Sequence, residues 1–237
     1  MKWWRKTGLV LALTIAAQAN AGDYADRRFI GFSPDGSHFA FEEYGIQDGS
    51  GFPYANIYVI DTAADSWISG TPVRVRIDND GAQLADARFQ AMDGARTILQ
   101  SRQTVVEGNH VVANPVTETS ANPHQVSFVP RHTIPFANTN YTLTLTEYPL
   151  PGGDCPDFGS AYQGFRIVLS GPDGTRTLTE DTRIPKSRRC PLNYGISDVL
   201  TYFPAGARHP VLIVVTNVFS LGFEGPDRRF IVTAVRL

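Results

Sequence analysis

The sequence predicts a mainly β chain with one substantial helix, an α+β fold built on an antiparallel sheet or sandwich. Three observations predict it. Short runs of alternating apolar and polar residues recur between turns rich in glycine and proline. One stretch, Ala82 to Ser101, carries apolar residues at helical spacing instead. A composition of 42% hydrophobic and 11% aromatic residues is enough for a packed core and is unlike that of a disordered chain.

The elements follow in order. Phe32 to Gly45, FSPDGSHFAFEEYG, is a turn and a strand. Pro34 presets φ and Gly36 closes the turn, while the Ser33 hydroxyl can cap the backbone. Phe39 and Phe41 then alternate with His38, Ala40 and Glu42. Tyr54 to Asp61 is a second strand, DTAAD a turn, and Trp67 the start of a third strand. Val73, Val75 and Ile77 alternate with Arg74 and Arg76, a half-buried strand with an arginine face. Asp80 suits a helix N-cap, with Gln83 as its capping-box partner. Leu84, Ala87, Ala91, Ala95 and Ile98 make the helix stripe, and Phe89, Met92 and Leu99 widen it. Gly94 weakens the helix centre by about 1 kcal/mol. A face this wide should pack on a sheet. Four X-Pro pairs make residues 102–140 irregular, apart from one short strand at Gln125 to Val129. Beyond Tyr141 the chain alternates again, with a hairpin across Gly171-Pro172-Asp173-Gly174 and further strands at Ile196–Phe203 and Arg229–Arg236. Val211 to Phe219 is apolar almost throughout and reads as a central strand buried on both faces.

The opening hairpin resembles a blade of a WD40-like propeller of the TolB type. A complete propeller is not expected. The related turns at Gly171 and Gly225 follow at unequal spacings of 138 and 54 residues, and a helix interrupts the series.

The N-terminus reads as a secretory signal. Lys2, Arg5 and Lys6 precede a short apolar run from Thr7 to Ala17, and Ala19-Asn20-Ala21 is a cleavage pattern. The expected domains are a signal peptide at 1–21 and a single secreted domain at 22–237, with subregions 22–101 and 141–237. No later run is long enough to be a transmembrane segment. The whole chain carries a net charge of −2; without the signal's three cations it carries −5, which argues against nucleic acid as a partner. Cys155 and Cys190 are the two cysteines. In an exported chain an even pair is expected to be a disulfide.

Motif searches bring no catalytic constellation, cofactor loop or metal set. The histidines, His38, His110, His124, His132 and His209, lack ligand spacing. Asp78-Asn79-Asp80-Gly81 lacks the rest of a calcium loop and suits helix capping better. Lys186 to Arg189 is a basic cluster, read as a solvated loop. Glu42, Glu43, Asp48, Glu224 and Asp227 are the acidic candidates. Two glycine-rich loops are the candidate functional region: Gly45–Tyr54, with Asp48 and Phe52, and the GFEGPDRR loop, with Glu224, Asp227 and Arg228.

Several segments carry a family resemblance: YGIQDGSGFPYANIYVID, ANPVTE, IPKSRRCPLNYGISDV and VFSLGFEGPDRRFIVT. Together they resemble the bacterial predicted secreted proteins of domain of unknown function 2259, over nearly all of the chain after the signal. The resemblance implies a periplasmic or envelope location. It brings no reaction, cofactor or catalytic residue. Three readings remain open: a non-catalytic module binding an envelope protein or glycan, a hydrolase of envelope carbohydrate or peptide using the loop carboxylates, and a purely structural envelope protein.

Overall fold

The computed structural model describes residues 22–134, 139–157 and 161–237. The expected signal sequence, 1–21, lies outside them. Among the described residues the chain forms three antiparallel sheets and one α-helix. The first sheet is β1 (Asp26–Phe32), β2 (His38–Ile46), β3 (Pro53–Asp61) and β4 (Ser66–Trp67), with β5 (Val73–Arg76) also on β3. The helix α1 (Leu84–Arg102) follows. The middle sheet runs in the order β13 (Asp227–Arg236), β12 (Val211–Ser220), β11 (Pro191–Tyr202) and β6 (Asn109–Ala113). The third runs β10 (Gly174–Glu180), β9 (Tyr162–Gly171), β8 (Tyr141–Leu150) and β7 (Gln125–Phe128).

The mainly β, single-helix class read from sequence is what the structure contains, and β12 shows why the layers stack. Its odd-numbered Val211, Ile213 and Val215 pack with Phe39, Phe41 and Tyr58 of the first sheet. Its even-numbered Leu212, Val214 and Val218 pack with Leu143, Phe165 and Ile167 of the third. Side chains alternate across a strand, so a strand apolar in both registers must be covered on both faces. The helix lies on the outer face of the first sheet, with Ala87, Ala91 and Ala95 against Ala55 and Ile57. The order of layers is helix, sheet, sheet, sheet.

Small residues set the helix contact. A methyl group added at Gly94 would sit 3.2 Å from Val73 Cγ1, so the residue that weakens the helix also lets it approach β5. Ala91→Leu is expected to lower unfolding free energy by about 1–3 kcal/mol through overpacking. Urea denaturation followed by far-UV circular dichroism checks it. Among the described residues, Glu42 is the carboxylate placed deep in this layer. It is fully buried, accepting from Arg28 Nε at 2.8 Å and from Arg88 Nε and Nη2 at 2.9 Å each.

Four expectations are corrected. The N-cap is Gln83 rather than Asp80; the Gln83 N–H donates to Asp86 Oδ2 at 3.3 Å, in a box three residues later than the predicted one. The DNDG stretch is a turn, closed by Gly81 N–H donating to Asn79 Oδ1 at 2.9 Å. Phe89 is 68% exposed and takes no part in the helix's apolar face, because the alanine stripe, not the aromatic one, meets the sheet. Residues 102–140 contain a second strand, β6, held by its pairing with β11 rather than by its own sequence pattern. Cys155 and Cys190 form the expected disulfide, with Cα atoms 5.6 Å apart.

Candidate functional site

β13 is an outer strand of the middle sheet. The first and third sheets both reach past it, so its free edge lies along the floor of a groove of about 460 Å³. That volume is in the range of small-ligand sites. In an antiparallel edge strand the N–H and C=O of every second residue point outwards. Here those residues are Arg228, Phe230, Val232, Ala234 and Arg236. Arg228 pairs with the segment before β1: its N–H donates to Asp23 O at 3.0 Å, and Ala25 N–H donates to Arg228 O at 3.1 Å. Phe230 N–H donates to Glu43 Oε2 at 2.9 Å. Ala234 N–H donates to Asp65 Oδ1 at 2.7 Å. Arg236 O accepts from Arg176 Nη2 at 2.6 Å. Backbone pairing at Arg228 and side chains at Phe230, Ala234 and Arg236 thus occupy part of an edge that could otherwise recruit a foreign strand.

The first sheet supplies one wall through Glu43, Asn56, Tyr58, Trp67 and Arg74. Glu42 and Glu43 are adjacent on β2, so one faces the helix and the other the groove. Glu43 is 2% exposed and also accepts from Asn56 Nδ2 at 3.1 Å and Tyr58 OH at 3.4 Å. Burial pushes its carboxyl above the usual range despite these donors. The opposite wall is Phe165 and Thr179, together with the Pro185–Arg189 segment that the disulfide at Cys190 anchors.

Four arginines line the groove: Arg74, Arg188, Arg189 and Arg229. Three are held from behind by aspartates. Arg188 is paired with Asp181 and lies 4.8 Å from the Phe165 ring centre. Arg189 Nη1 donates to Asp227 Oδ2 at 2.8 Å, while half of its side chain stays exposed. Arg229 is paired with the Asp23 carboxylate and donates to Asp23 O at 2.7 Å, with its guanidinium 4.8 Å from the Tyr54 ring. Tyr54 OH donates to the other Asp23 oxygen at 2.8 Å, and burial raises the Tyr54 phenol strongly. Arg74 has no carboxylate partner among the described residues; it lies 5.6 Å from the ring of Trp67. A second hollow of about 390 Å³ continues past Asn56, Arg74, Arg189 and Arg229 to Gln47, Arg76 and Asp78. The shared lining makes the two hollows one channel with exposed guanidiniums, Arg74 and Arg189, at its middle.

The residues singled out in the sequence are placed unevenly around this channel. Asp227 stands behind Arg189 rather than in the lining, accepting from Asp23 N at 3.2 Å as well as from Arg189, and burial pushes its carboxyl up. Arg228 turns away to Ala25 O at 2.7 Å, between the Tyr24 and Phe230 rings. Glu224 is exposed on the turn between β12 and β13. Asp48 and Phe52 lie in the turn between β2 and β3, where Gln47 N–H donates to Phe52 O at 2.9 Å. That turn faces Asp80, whose Cβ is 3.5 Å from where a Gly51 Cβ would sit. No hydrogen bond or ion pair among the described residues joins Asp48 to Glu224 or Asp227. Sequence reading missed Glu43, Arg74, Arg189 and Arg229 as a group. The arginine face of β5 and the Arg188-Arg189 pair were visible as charge patterns, but not their convergence.

A second polar cluster sits between β11, β6 and β1. Asp198, fully buried, accepts from Arg27 Nε at 2.6 Å and Nη2 at 2.8 Å, from Ser197 Oγ at 2.6 Å, and contacts His110 Nε2 at 2.9 Å. It contains serine, histidine and aspartate, yet the geometry is not that of a nucleophilic triad. The serine hydroxyl points at the aspartate, not at the imidazole that would have to take its proton. Burial alone would raise the Asp198 carboxyl; the bonds from His110, Arg27 and Ser197 outweigh it and hold it below the usual range.

A family model described as predicted secreted protein, domain of unknown function 2259, matches residues 40–236. The chain belongs to this family. The match to the 2259 family begins inside β2 and ends with β13, so it takes in Glu43, Arg74, Arg189 and Arg229 and leaves out Asp23. No curated protein compared with the chain matches it. In this 2259-family protein no described helix is long and apolar enough to cross a membrane.

Proposed function

We propose that this family member is an exported, non-catalytic binding module of the bacterial envelope, acting in the periplasm after its signal peptide is removed, and that it takes an anionic ligand in the groove beside β13. The observation that carries the reading is the pair Arg74 and Arg189, exposed and pointing into a ligand-sized channel. Aspartates behind Arg188, Arg189 and Arg229 fix the positions of those donors before any ligand arrives. Charge-assisted hydrogen bonds from fixed guanidiniums suit carboxylate or phosphate groups, which envelope glycans and protein segments both carry.

Glycoside hydrolysis by the loop carboxylates Asp48, Glu224 and Asp227 is not supported by any contact joining Asp48 to the other two among the described residues, and the groove's own carboxylates are widely spaced. Glu43 and Asp65 bind amides four residues apart on β13, hence roughly 13 Å apart at about 3.4 Å per residue. Paired glycosidase carboxylates stand about 5 to 10 Å apart. Arg74→Gln and Arg189→Gln are each expected to weaken binding of hexaglutamate, a model polyanion, about ten-fold or more, the usual value of one charge-assisted bond. Isothermal titration calorimetry on the oxidised protein reads this. Equal affinity in wild type and both variants, or no binding of any polyanion, would overturn the proposal.

A further inference from the structure

The free edge of β13 is filled at each end and open at its centre. Phe230 N–H is taken by Glu43 and Ala234 N–H by Asp65. By the same alternation, Val232 turns both its N–H and its C=O outwards, and Val232 lines the groove. Neither group has a hydrogen-bond partner among the described residues. Buried backbone groups are nearly always paired, with protein or with water, so this donor and acceptor are available to a backbone outside the chain. The gap between the two carboxylate caps is roughly 13 Å, the length of about four extended residues. Its walls are aromatic on both sides, Tyr58 and Trp67 from the first sheet and Phe165 from the third. Exposed Arg74 and Arg189 lie at the channel's middle.

Resting on the anionic-ligand reading above, we infer that the ligand is an extended peptide segment with acidic side chains or a free C-terminal carboxylate. It lies beside β13 as an added strand, exchanging two backbone hydrogen bonds with Val232 and placing its carboxylate against Arg74 and Arg189. Main-chain pairing supplies a sequence-tolerant grip and the arginines supply the charge preference. The carboxylate caps limit the added strand to a short segment, which separates recognition from open-ended strand addition.

The test uses amide hydrogen exchange and nitrogen-15 spectra of the oxidised protein with three probes. The first is an acidic hexapeptide of alternating glutamate and valine with a free C-terminus. The second is the same peptide N-methylated at alternate residues, in each of the two registers. The third is citrate, an anion without a backbone. The hexapeptide is expected to slow exchange of the Val232 amide at least ten-fold. One N-methylated register should lose that protection and bind at least ten-fold more weakly, and citrate should give none. Binding of hexapeptide and citrate without protection of Val232 would overturn strand pairing while leaving the anionic groove intact. No binding by any of the three would overturn the anionic-ligand reading, and this inference with it.

Discussion

Asp198→Asn is expected to lower unfolding free energy by about 3–5 kcal/mol, the usual consequence of removing one partner from a buried ion pair. The carboxylate is fully buried and receives both arms of Arg27, whose side chain is 18% exposed. An amide can accept at one position only, so a buried guanidinium loses a charged partner and His110 or Ser197 loses its acceptor. The effect has a pH signature with a definite sign. The Asp198 carboxyl is held below its ordinary value in the fold. Its stabilisation is therefore fully present above the unfolded value of about 3.9, and is lost as pH falls through the lower folded value. Asp198→Asn should flatten the acid limb of the stability curve as well as lower it. Urea melts between neutral and acid pH measure both. An acid limb of unchanged slope would contradict the assignment. Glu43 works in the opposite sense: its raised carboxyl contributes stability below its unfolded value, lost as pH rises through the folded one.

Replacing Cys155 and Cys190 by serine is expected to cost about 4 kcal/mol, from the entropy of a loop closed across 35 residues. A second consequence is local. Cys190 directly follows Arg188 and Arg189, and Cys155 lies beyond the end of β8 on the other side of the loop. Without the bridge the segment carrying two of the four groove arginines loses its covalent tie and keeps only non-covalent ones, among them the ion pairs to Asp154, Asp181 and Asp227 and the Leu221 N–H bond to Cys190 O. Affinity for an acidic probe should then fall more at a temperature where the variant is still folded than the variants' arginine content alone would predict. Thermal melting with and without reductant, and calorimetry on the folded variant, read the two effects separately. A reduced protein as stable and as tight as the oxidised one would contradict both.

Much of the architecture was legible because it rests on local periodicity. Val211 to Ser220 is apolar in both registers, and only a strand covered on both faces has that pattern. The cysteine pair was legible from parity and export. The helix was legible in existence and in its buried face: Ala87, Ala91 and Ala95 of the predicted stripe make the contact, with Met92 and Leu99 packed beside them. Phe89 does not belong to that face, and the close approach at Gly94 was not legible. β6 was not legible, because its strand conformation comes from β11 across the sheet. The groove was legible only in fragments. Glu43 beside Glu42, the arginine face of β5 and the Arg188-Arg189 pair each had an ordinary explanation as a buried or solvated charge. Their convergence depends on contacts between distant parts of the chain, such as Glu43 with Phe230 and Arg229 with Asp23. No periodicity reports those. The two loops chosen for their glycines supplied one groove-lining residue, Arg229 at the end of GFEGPDRR, and the Asp227 carboxylate that holds Arg189, because loop composition marks where backbone can vary and not where charges meet.

The most direct test of the binding groove uses the protein's own reporter. Trp67 lines the groove, and Trp3 and Trp4, the other tryptophans, belong to the expected signal sequence. The secreted chain would then carry Trp67 alone. Its fluorescence should be followed as the acidic hexapeptide is added to the oxidised protein and to an Arg74→Gln, Arg189→Gln double variant, at low and at high salt. A saturable change is expected in the wild type, weakening with salt and at least ten-fold weaker in the double variant. A Trp67 signal that does not move, or that moves identically in the double variant, would contradict it.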